Sequence, residues 1–231
     1  MDESVELVNG HYSMGLPWRY PEVALPNNRS MALKRLSSLK KRLEGDSELH
    51  HKYVDTMSDY IDKGYAECIQ GEGRTKAVWY LPHHPVLHPQ KPGKVRVVFD
   101  CAAQWKGHSL NGHLLQGPDL SNSLIGVLLR FREGPIAVAA DVESMFHQVR
   151  VSTKDCDALR FLWWRDGDIT QEPVDHRMLV HLFGATSSPS CAGYALRKTA
   201  DDNRCNYDNN VIETIHKNFY VDDCPEICGR A

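Results

Sequence analysis

Residues 219–224, FYVDDC, constrain the fold of this chain more than any other segment. Aromatic and β-branched residues favour strands, whereas aspartate is depleted in strands and adjacent like charges repel each other. The segment therefore predicts a strand that ends on Asp222 and Asp223. It also requires a nearby group that compensates two neighbouring carboxylates.

A third aspartate occupies the same kind of position earlier in the chain. Asp141 ends the apolar run IAVAAD, residues 136–141, which we interpret as a buried strand. If the two strands are neighbours, three carboxylates meet, and such a cluster stays ionised only beside a cation. Carboxylate oxygens suit Mg²⁺ or Mn²⁺, and two such ions can activate an attacking 3′-hydroxyl and stabilise a leaving pyrophosphate. The alternative is a simple turn after a strand, because adjacent aspartates are common.

The composition is that of a globular protein. The chain has 231 residues, of which 42% are hydrophobic and 25% charged, enough for one large domain or two small ones. No apolar stretch approaches a membrane span, and the first residues lack the pattern of a signal peptide, so we expect no membrane association. Seven irregularly spaced cysteines argue against a disulfide framework.

The apolar periodicity predicts helices first and then a mixture of strands and helices, which indicates an α+β or α/β fold. Residues 1–28 are expected to be irregular. Residues 30–43 and 47–64 predict a packed pair of helices, with Ser30 as the first N-cap and Gly64 as the final stop. Residues 187–200 predict a helix that opens on Ser and Pro. Residues 118–132 predict another helix, with one face formed by Leu120, Leu124, Leu128 and Phe131.

Charge is distributed unevenly although the net charge is only −3. Residues 29–43 contain six Lys and Arg residues and no acid, whereas the last 31 residues contain seven acids and three bases. This pattern is consistent with a protein that binds a polyanion in one place and metal ions in another. The alternative is a set of solvated helix faces.

Four segments resemble the motifs of reverse transcriptases, and they occur in the order found in that family. They are KVRVVFD (94–100), DVESMFHQVRV (141–151), LFGATSSP (182–189) and FYVDD (219–223). From about residue 10 to residue 224 the chain looks like the polymerase of the BEL/Pao group of LTR retrotransposons. In that group the polymerase is one segment of a polyprotein.

The resemblance implies an α+β right-hand polymerase that begins with an N-terminal extension, residues 1–64, containing the helical pair. Fingers would comprise residues 65–110 and 149–187, and palm residues 111–148 and 188–231. The implied activity is RNA-directed DNA polymerase, with an RNA or DNA template-primer and dNTPs as partners and two Mg²⁺ or Mn²⁺ ions as cofactors. An intact element would place it in a cytoplasmic retrotransposon particle.

The resemblance also implies roles for individual residues. Asp141, Asp222 and Asp223 correspond to the catalytic metal ligands, and the backbone carbonyl of Val142 would be an additional oxygen ligand. The other matched positions would bind the dNTP: Arg96 and Lys94 at the triphosphate, Phe146 as the steric gate against a 2′-hydroxyl, and Gly184 where the chain approaches the nucleotide. Core packing is the alternative for Phe146, and a solvated surface position is the alternative for Lys94.

The sequence departs from the family pattern after the aspartates. A hydrophobic return strand should follow them, but Pro225 cannot donate to a strand ladder and few residues remain. We expect a polymerase truncated before the thumb, without primer grip, RNase H, protease or integrase, and inactive alone. The alternative is a non-catalytic retroelement remnant, or a co-opted module that binds nucleic acid or protein.

Overall fold

Helices and strands are mixed along the chain, so the predicted α+β class is confirmed. The computed structural model describes residues 5–69, 77–87, 95–134 and 136–228. Within these ranges no helix combines the length and apolar character that a membrane crossing requires. In chain order the elements are β1 (Glu6–Val8), β2 (His11–Met14), α1 (Arg29–Gly45), α2 (Ser47–Asp62), β3 (Ala66–Cys68), β4 (His83–Leu87), β5 (Val95–Phe99), α3 (Leu110–His113), α4 (Leu124–Arg130), β6 (Ile136–Asp141), β7 (Arg150–Val151), β8 (Arg160–Trp163), β9 (Val174–Met178), α5 (Ser188–Asp202), α6 (Asn209–Lys217) and β10 (Asp223–Cys228).

The predicted helical pair is present as α1 and α2. Leu36, Leu39 and Leu43 repeat every three or four residues, so they lie on one face of α1 and are buried. Burying each leucine stabilises the fold by roughly 1.5–3 kcal/mol. The carboxylate of Asp46 caps α2 by accepting a hydrogen bond from the Leu49 N–H at 2.9 Å. Gly64 follows the end of α2 with a φ of 66°, as predicted for the stop.

The start of α1 and the N-terminal segment differ from the prediction. α1 begins at Arg29, so Ser30 is not its N-cap. Asn28 occupies the cap position, but its side chain bonds the backbone of Tyr80, donating to the carbonyl at 2.7 Å and accepting from the N–H at 2.8 Å. The expected irregular segment contains the hairpin β1–β2, which turns at Asn9 and Gly10, both at positive φ.

The main core lies between the helical pair, the sheet β3-β9-β8 and the hairpin β4–β5. Its largest fully buried side chains include Trp79, Trp163 and Phe161. Asp157 is fully buried beside this core, and its carboxylate accepts from Arg160 at 3.0 Å and from Arg177 at 3.2 Å. Because both guanidinium groups lie on the β8–β9 pair, this network fixes one strand against the other.

A second, smaller core anchors the segment that follows β6. Met145 and Phe146 lie in a short 3₁₀ turn, residues 145–148, and are buried against Met14 of β2 and Ala192 of α5. α5 begins at Ser188 with Pro189 in its first turn, as the sequence predicts. The loop after Asp141 is therefore held by packing on both sides.

β6 and β10 form a two-stranded antiparallel ribbon, and here three sequence predictions are wrong. The run 136–141 is a strand, but all six residues are exposed, because β10 is its only strand partner in the described part of the chain. The helix predicted over 118–132 is the shorter α4, which buries Val127 and exposes Leu124 and Leu128.

The third error concerns the strand at the aspartates. The run before them forms only a bridge between Tyr220 and Asp223, and the strand begins at Asp223 and continues to Cys228. This is the return strand that Pro225 was expected to prevent, and Pro225 lies within it, opposite Ala139. An edge strand needs only the N–H groups that face its single neighbour, so a proline is tolerated where its nitrogen faces away.

Candidate metal centre

The two adjacent aspartates lie in and beside a tight turn. The Tyr220 N–H donates to the carbonyl of Asp223 at 2.8 Å, and the Asp223 N–H donates back at 3.2 Å, which leaves Val221 and Asp222 as a two-residue loop. Val221 has a φ of 59°. Positive φ at the first of two central positions is normally occupied by glycine, so a β-branched residue stores strain here.

The ribbon register places the third aspartate opposite this turn. Asp141 and Asp223 are direct partners across β6 and β10, and the Val142 N–H donates to the Asp222 carbonyl at 2.9 Å. As a result, one carboxylate oxygen from each of Asp141, Asp222 and Asp223 lies within 4.8 Å of the others. Val142, whose carbonyl is the predicted additional ligand, is fixed through its N–H.

The chemistry of this donor set fits a divalent cation. None of the ion pairs between described residues includes Asp141, Asp222 or Asp223, so no cation in this part of the chain is paired with their negative charges. Asp141 and Asp223 are exposed and Asp222 is half-buried, which leaves their oxygens accessible. Clustered carboxylate oxygens are the ligands that Mg²⁺ and Mn²⁺ prefer.

A cleft of about 660 Å³ opens beside the carboxylates. Its walls include Asp141 and Asp222, the exposed side chain of Arg96 on β5, Lys52 on α2, and Lys63 directly after α2. The two lysines are paired with carboxylates of α2. Among the described residues Arg96 has no ion-pair partner, so its guanidinium is available to an anionic group in the cleft. The other predicted phosphate contact, Lys94, lies outside the described residues.

Phe146 and Gly184 lie near the cleft, and both residues stabilise the fold. Phe146 is buried in the smaller core, and its ring meets that of Phe183 edge to face at a centroid distance of 4.5 Å. Phe183 lines the cleft, whereas Phe146 contacts Phe183 without lining the cleft itself. Gly184 has a φ of 98°, and a Cβ at this position would lie 3.0 Å from the carbonyl oxygen of Phe99. The backbone therefore requires glycine here, whatever the cleft binds.

Sequence reasoning missed His147, which also lines the cleft. Its ring is buried against Tyr60 and Tyr65, at centroid distances of 5.3 and 5.0 Å. Burial lowers the pKa of His147 to about 4, and the positive charge of Lys63 acts in the same direction. The ring is therefore neutral at physiological pH. Its position one residue after Phe146 was the only sequence signal, since the tyrosines come from a distant segment.

Solved structures identify the fold, although no protein-family model and no curated protein matches the sequence. A foamy viral protease-reverse transcriptase dRH in complex with double-stranded DNA has a TM-score of 0.53 and 16% identity, over 74% of this chain and 25% of that chain. A foamy viral protease-reverse transcriptase in complex with double-stranded DNA has a TM-score of 0.51 and 16% identity, over 76% and 30%. A Prototype Foamy Virus protease-reverse transcriptase CSH mutant has a TM-score of 0.54 and 14% identity, over 94% and 23%.

The chain therefore has a reverse transcriptase-like fold. It spans about a quarter of the length of the solved structures it matches, namely 25%, 30% and 23% of the three chains. The resemblance seen in the sequence motifs is confirmed at the level of the fold. The BEL/Pao subgroup, the boundaries of fingers and palm, and the roles of the individual residues stay predictions.

Proposed function

We propose that this chain is the polymerase segment of a BEL/Pao-type LTR retrotransposon reverse transcriptase, an RNA-directed DNA polymerase. The reaction is transfer of a nucleotide from a dNTP to a primer 3′-hydroxyl. The observation that carries the proposal is the meeting of Asp141, Asp222 and Asp223 within 4.8 Å, on two paired strands beside a cleft. The reverse transcriptase-like fold supports the same class of reaction.

The metal ions of this reaction would be held by the three aspartates and the backbone carbonyl of Val142. When bound, two Mg²⁺ or Mn²⁺ ions activate the primer hydroxyl and stabilise the leaving pyrophosphate. The protein contributes the fixed positions of the oxygens. Asp223 is held by strand pairing with Asp141, and Asp222 by the hydrogen bond between its carbonyl and the Val142 N–H.

The dNTP would lie in the cleft between the carboxylates and β5. Arg96 is suited to the triphosphate, because its guanidinium has no carboxylate partner among the described residues and can form forked hydrogen bonds with phosphate oxygens. Lys94 is proposed as a second contact from the same segment. Phe146 would act as the steric gate together with Phe183, which lines the cleft and packs against the Phe146 ring. Gly184, the next residue after that ring, allows the backbone to pass close to the carbonyl of Phe99.

The test compares Asp222→Asn with Asp208→Asn in the purified chain. Asp208 precedes α6, is exposed and caps no N–H, so the control makes the same chemical change away from the cleft. We expect Asp222→Asn to weaken Mn²⁺ binding about tenfold or more, as loss of a metal-site partner typically does, and Asp208→Asn to leave it unchanged. Calorimetry measures the binding, and equal affinities in both variants would refute the metal assignment.

Primer extension on poly(rA)/oligo(dT), with Mg²⁺ and with Mn²⁺, tests the reaction itself. Extension by the wild type that Asp222→Asn lacks would establish polymerase activity of this chain. Metal binding without extension would favour the second candidate, a non-catalytic module that binds nucleic acid or protein. One observation supports that candidate: β6 and the outer face of α4, including Leu124 and Leu128, present apolar side chains to solvent.

A further inference from the structure

The exposed face of α1 is the most positively charged helix surface in the described structure. The buried face contains Leu36, Leu39 and Leu43, and the residues on the opposite side are exposed. At 100° per residue, Lys34, Lys41 and Arg42 fall within one arc of that side. We call this arc the α1 basic face.

The cations of the α1 basic face differ from those of the other long helices. The lysines of α2, α5 and α6, and the one that directly follows α2, are paired with helical carboxylates four residues away, namely Lys52 with Glu48, Lys63 with Asp59, Lys198 with Asp202 and Lys217 with Glu213. Lys34, Lys41 and Arg42 have no ion-pair partner in the described ranges. On α1 only the flanking cations Arg29, Arg35 and Lys40 are paired. The face therefore carries a net positive charge although the chain as a whole is acidic.

The shape of the face suits a close polyanion. Ser37 and Ser38 lie between the cations, and their hydroxyls bond back to the carbonyls of Leu33 and Lys34, so the middle of the face is low and flat. Lys34 and Arg42 are separated by eight residues, or about 12 Å along the helix. That distance matches about three to four nucleotides at roughly 3.4 Å each.

We propose that the α1 basic face binds the sugar-phosphate backbone of the nucleic acid on which the polymerase acts. This inference rests on the proposed function, since it assigns the face to the template-primer of that reaction. No residue of α1 lines the cleft, so the face is a separate contact, connected to the cleft through the packing of α1 on α2. α1 contains no aromatic residue that could stack on a base. Binding there depends on charge alone and carries no base preference.

The test measures how binding of a fluorescein-labelled template-primer depends on salt, by anisotropy between about 50 and 200 mM salt. The variant Lys34→Gln/Lys41→Gln/Arg42→Gln removes the face. We expect it to lower the slope of log K against log salt by about 2 to 3 units, because each phosphate contact contributes roughly 0.7–0.9. Two template sequences should give the same loss.

Two control variants separate a specific face from a general charge effect. Lys198→Gln/Arg204→Gln/Lys217→Gln changes the net charge equally but removes cations that are paired with carboxylates on or near α5 and α6, and it should keep the wild-type slope. Lys34→Arg/Lys41→Arg/Arg42→Lys preserves the charge and should also keep it. Equal losses in the two glutamine variants would overturn the proposal, and so would an unchanged slope in the α1 variant or a wild type that binds no oligonucleotide. Binding to phosphatidylserine vesicles in place of oligonucleotide would overturn it as well.

The result is independent of the metal centre. Asp222→Asn should retain the full salt slope, because Asp222 lies in the cleft and not on α1. Metal-dependent extension together with an unaltered slope in the α1 variant would refute the α1 basic face and leave the polymerase proposal standing. A lost slope without any metal-dependent extension would leave the face standing and favour the second candidate, the non-catalytic module that binds nucleic acid.

Discussion

Replacement of Val221 by glycine and by alanine tests the turn that positions the metal centre. Val221 has a φ of 59° at the first central position of a two-residue turn, and its side chain is 40% exposed. Left-handed backbone costs a residue with a Cβ about 1–2 kcal/mol, and both valine and alanine bear this cost. Glycine avoids it but loses roughly 0.4–1 kcal/mol through the greater freedom of its unfolded chain.

The comparison of glycine with alanine isolates the backbone effect, because neither has a side chain that packs. We expect Val221→Gly to be about 1 kcal/mol more stable than Val221→Ala. With an unfolding slope near 2–3 kcal/mol per molar urea, this difference shifts the midpoint by about 0.4 M. Urea unfolding followed by tryptophan fluorescence measures it. At an ordinary negative φ alanine stabilises a fold more than glycine does. An alanine variant with a higher urea midpoint than the glycine variant would therefore refute the turn geometry.

The same pair of variants links the strain to metal binding. Glycine relieves the turn but allows it more conformations, so the three carboxylates should be held less firmly. We expect Val221→Gly to bind Mn²⁺ more weakly than the wild type although its fold is no less stable. Equal metal affinity would mean that the strain at Val221 has no part in holding the carboxylates.

Two further predictions concern the walls of the cleft. Gly184→Ala should destabilise the fold by about 1–3 kcal/mol, because the residue has a φ of 98° and its new Cβ would lie 3.0 Å from the Phe99 carbonyl. Gly45→Ala is the control, since nothing lies within 4 Å of its Cβ, and chemical denaturation should show a change below about 1 kcal/mol. The pKa of His147 is about 4 in the folded chain, below the ordinary value near 6.5, so its neutral ring stabilises the fold fully above about pH 6.5 and progressively less as the pH falls toward 4. His147→Phe should therefore make the unfolding free energy depend less steeply on pH in that window, and an unchanged steepness in pH-dependent urea unfolding would contradict the assignment.

The parts of the fold that follow from local pattern could be predicted from the sequence. Apolar residues at helical spacing predicted α1 and α2, and Gly64 ended the second helix because its lack of a Cβ allows positive φ. The Asn9–Gly10 turn carried an equally local signal, because both residues tolerate positive φ. The prediction of irregular structure for residues 1–28 rested on the prolines that follow this pair, so the hairpin was missed.

The errors occurred where an element depends on its neighbours. The run 136–141 is apolar, which indicates a strand buried on both faces, but burial depends on what covers the strand. In the described structure one strand pairs with it and its residues stay exposed. At 219–223 the aromatic and β-branched residues indicated a strand, yet the hydrogen bonds between Tyr220 and Asp223 close a turn. Local strand preference was overridden there by the hairpin.

In the candidate site, too, the features that follow from local sequence were predictable, and those that depend on distant segments were not. The prediction that strand ends bring three carboxylates together needed only the pairing of two strands, and their oxygens do lie within 4.8 Å of one another. The surroundings of Phe146 and His147 could not be predicted, because Phe183, Tyr60 and Tyr65 reach them from distant parts of the sequence. The proposed role of Phe146 at the nucleotide stays a prediction.

The adjacent aspartates are tolerated because the turn gives them different surroundings. Asp222 lies in the loop, with its carbonyl bonded to Val142, and Asp223 begins a strand opposite Asp141. The repulsion is therefore concentrated at the open end of a ribbon of only two strands, which contributes little stability of its own. The smaller core must therefore stabilise this end of the ribbon, through Met145 and Phe146 packed on α5. Phe146 already stabilises the loop that follows Asp141, so a substitution there would disturb the metal centre as well as any steric gate. Only a change in discrimination between dNTPs and rNTPs at unaltered metal affinity would identify the gate.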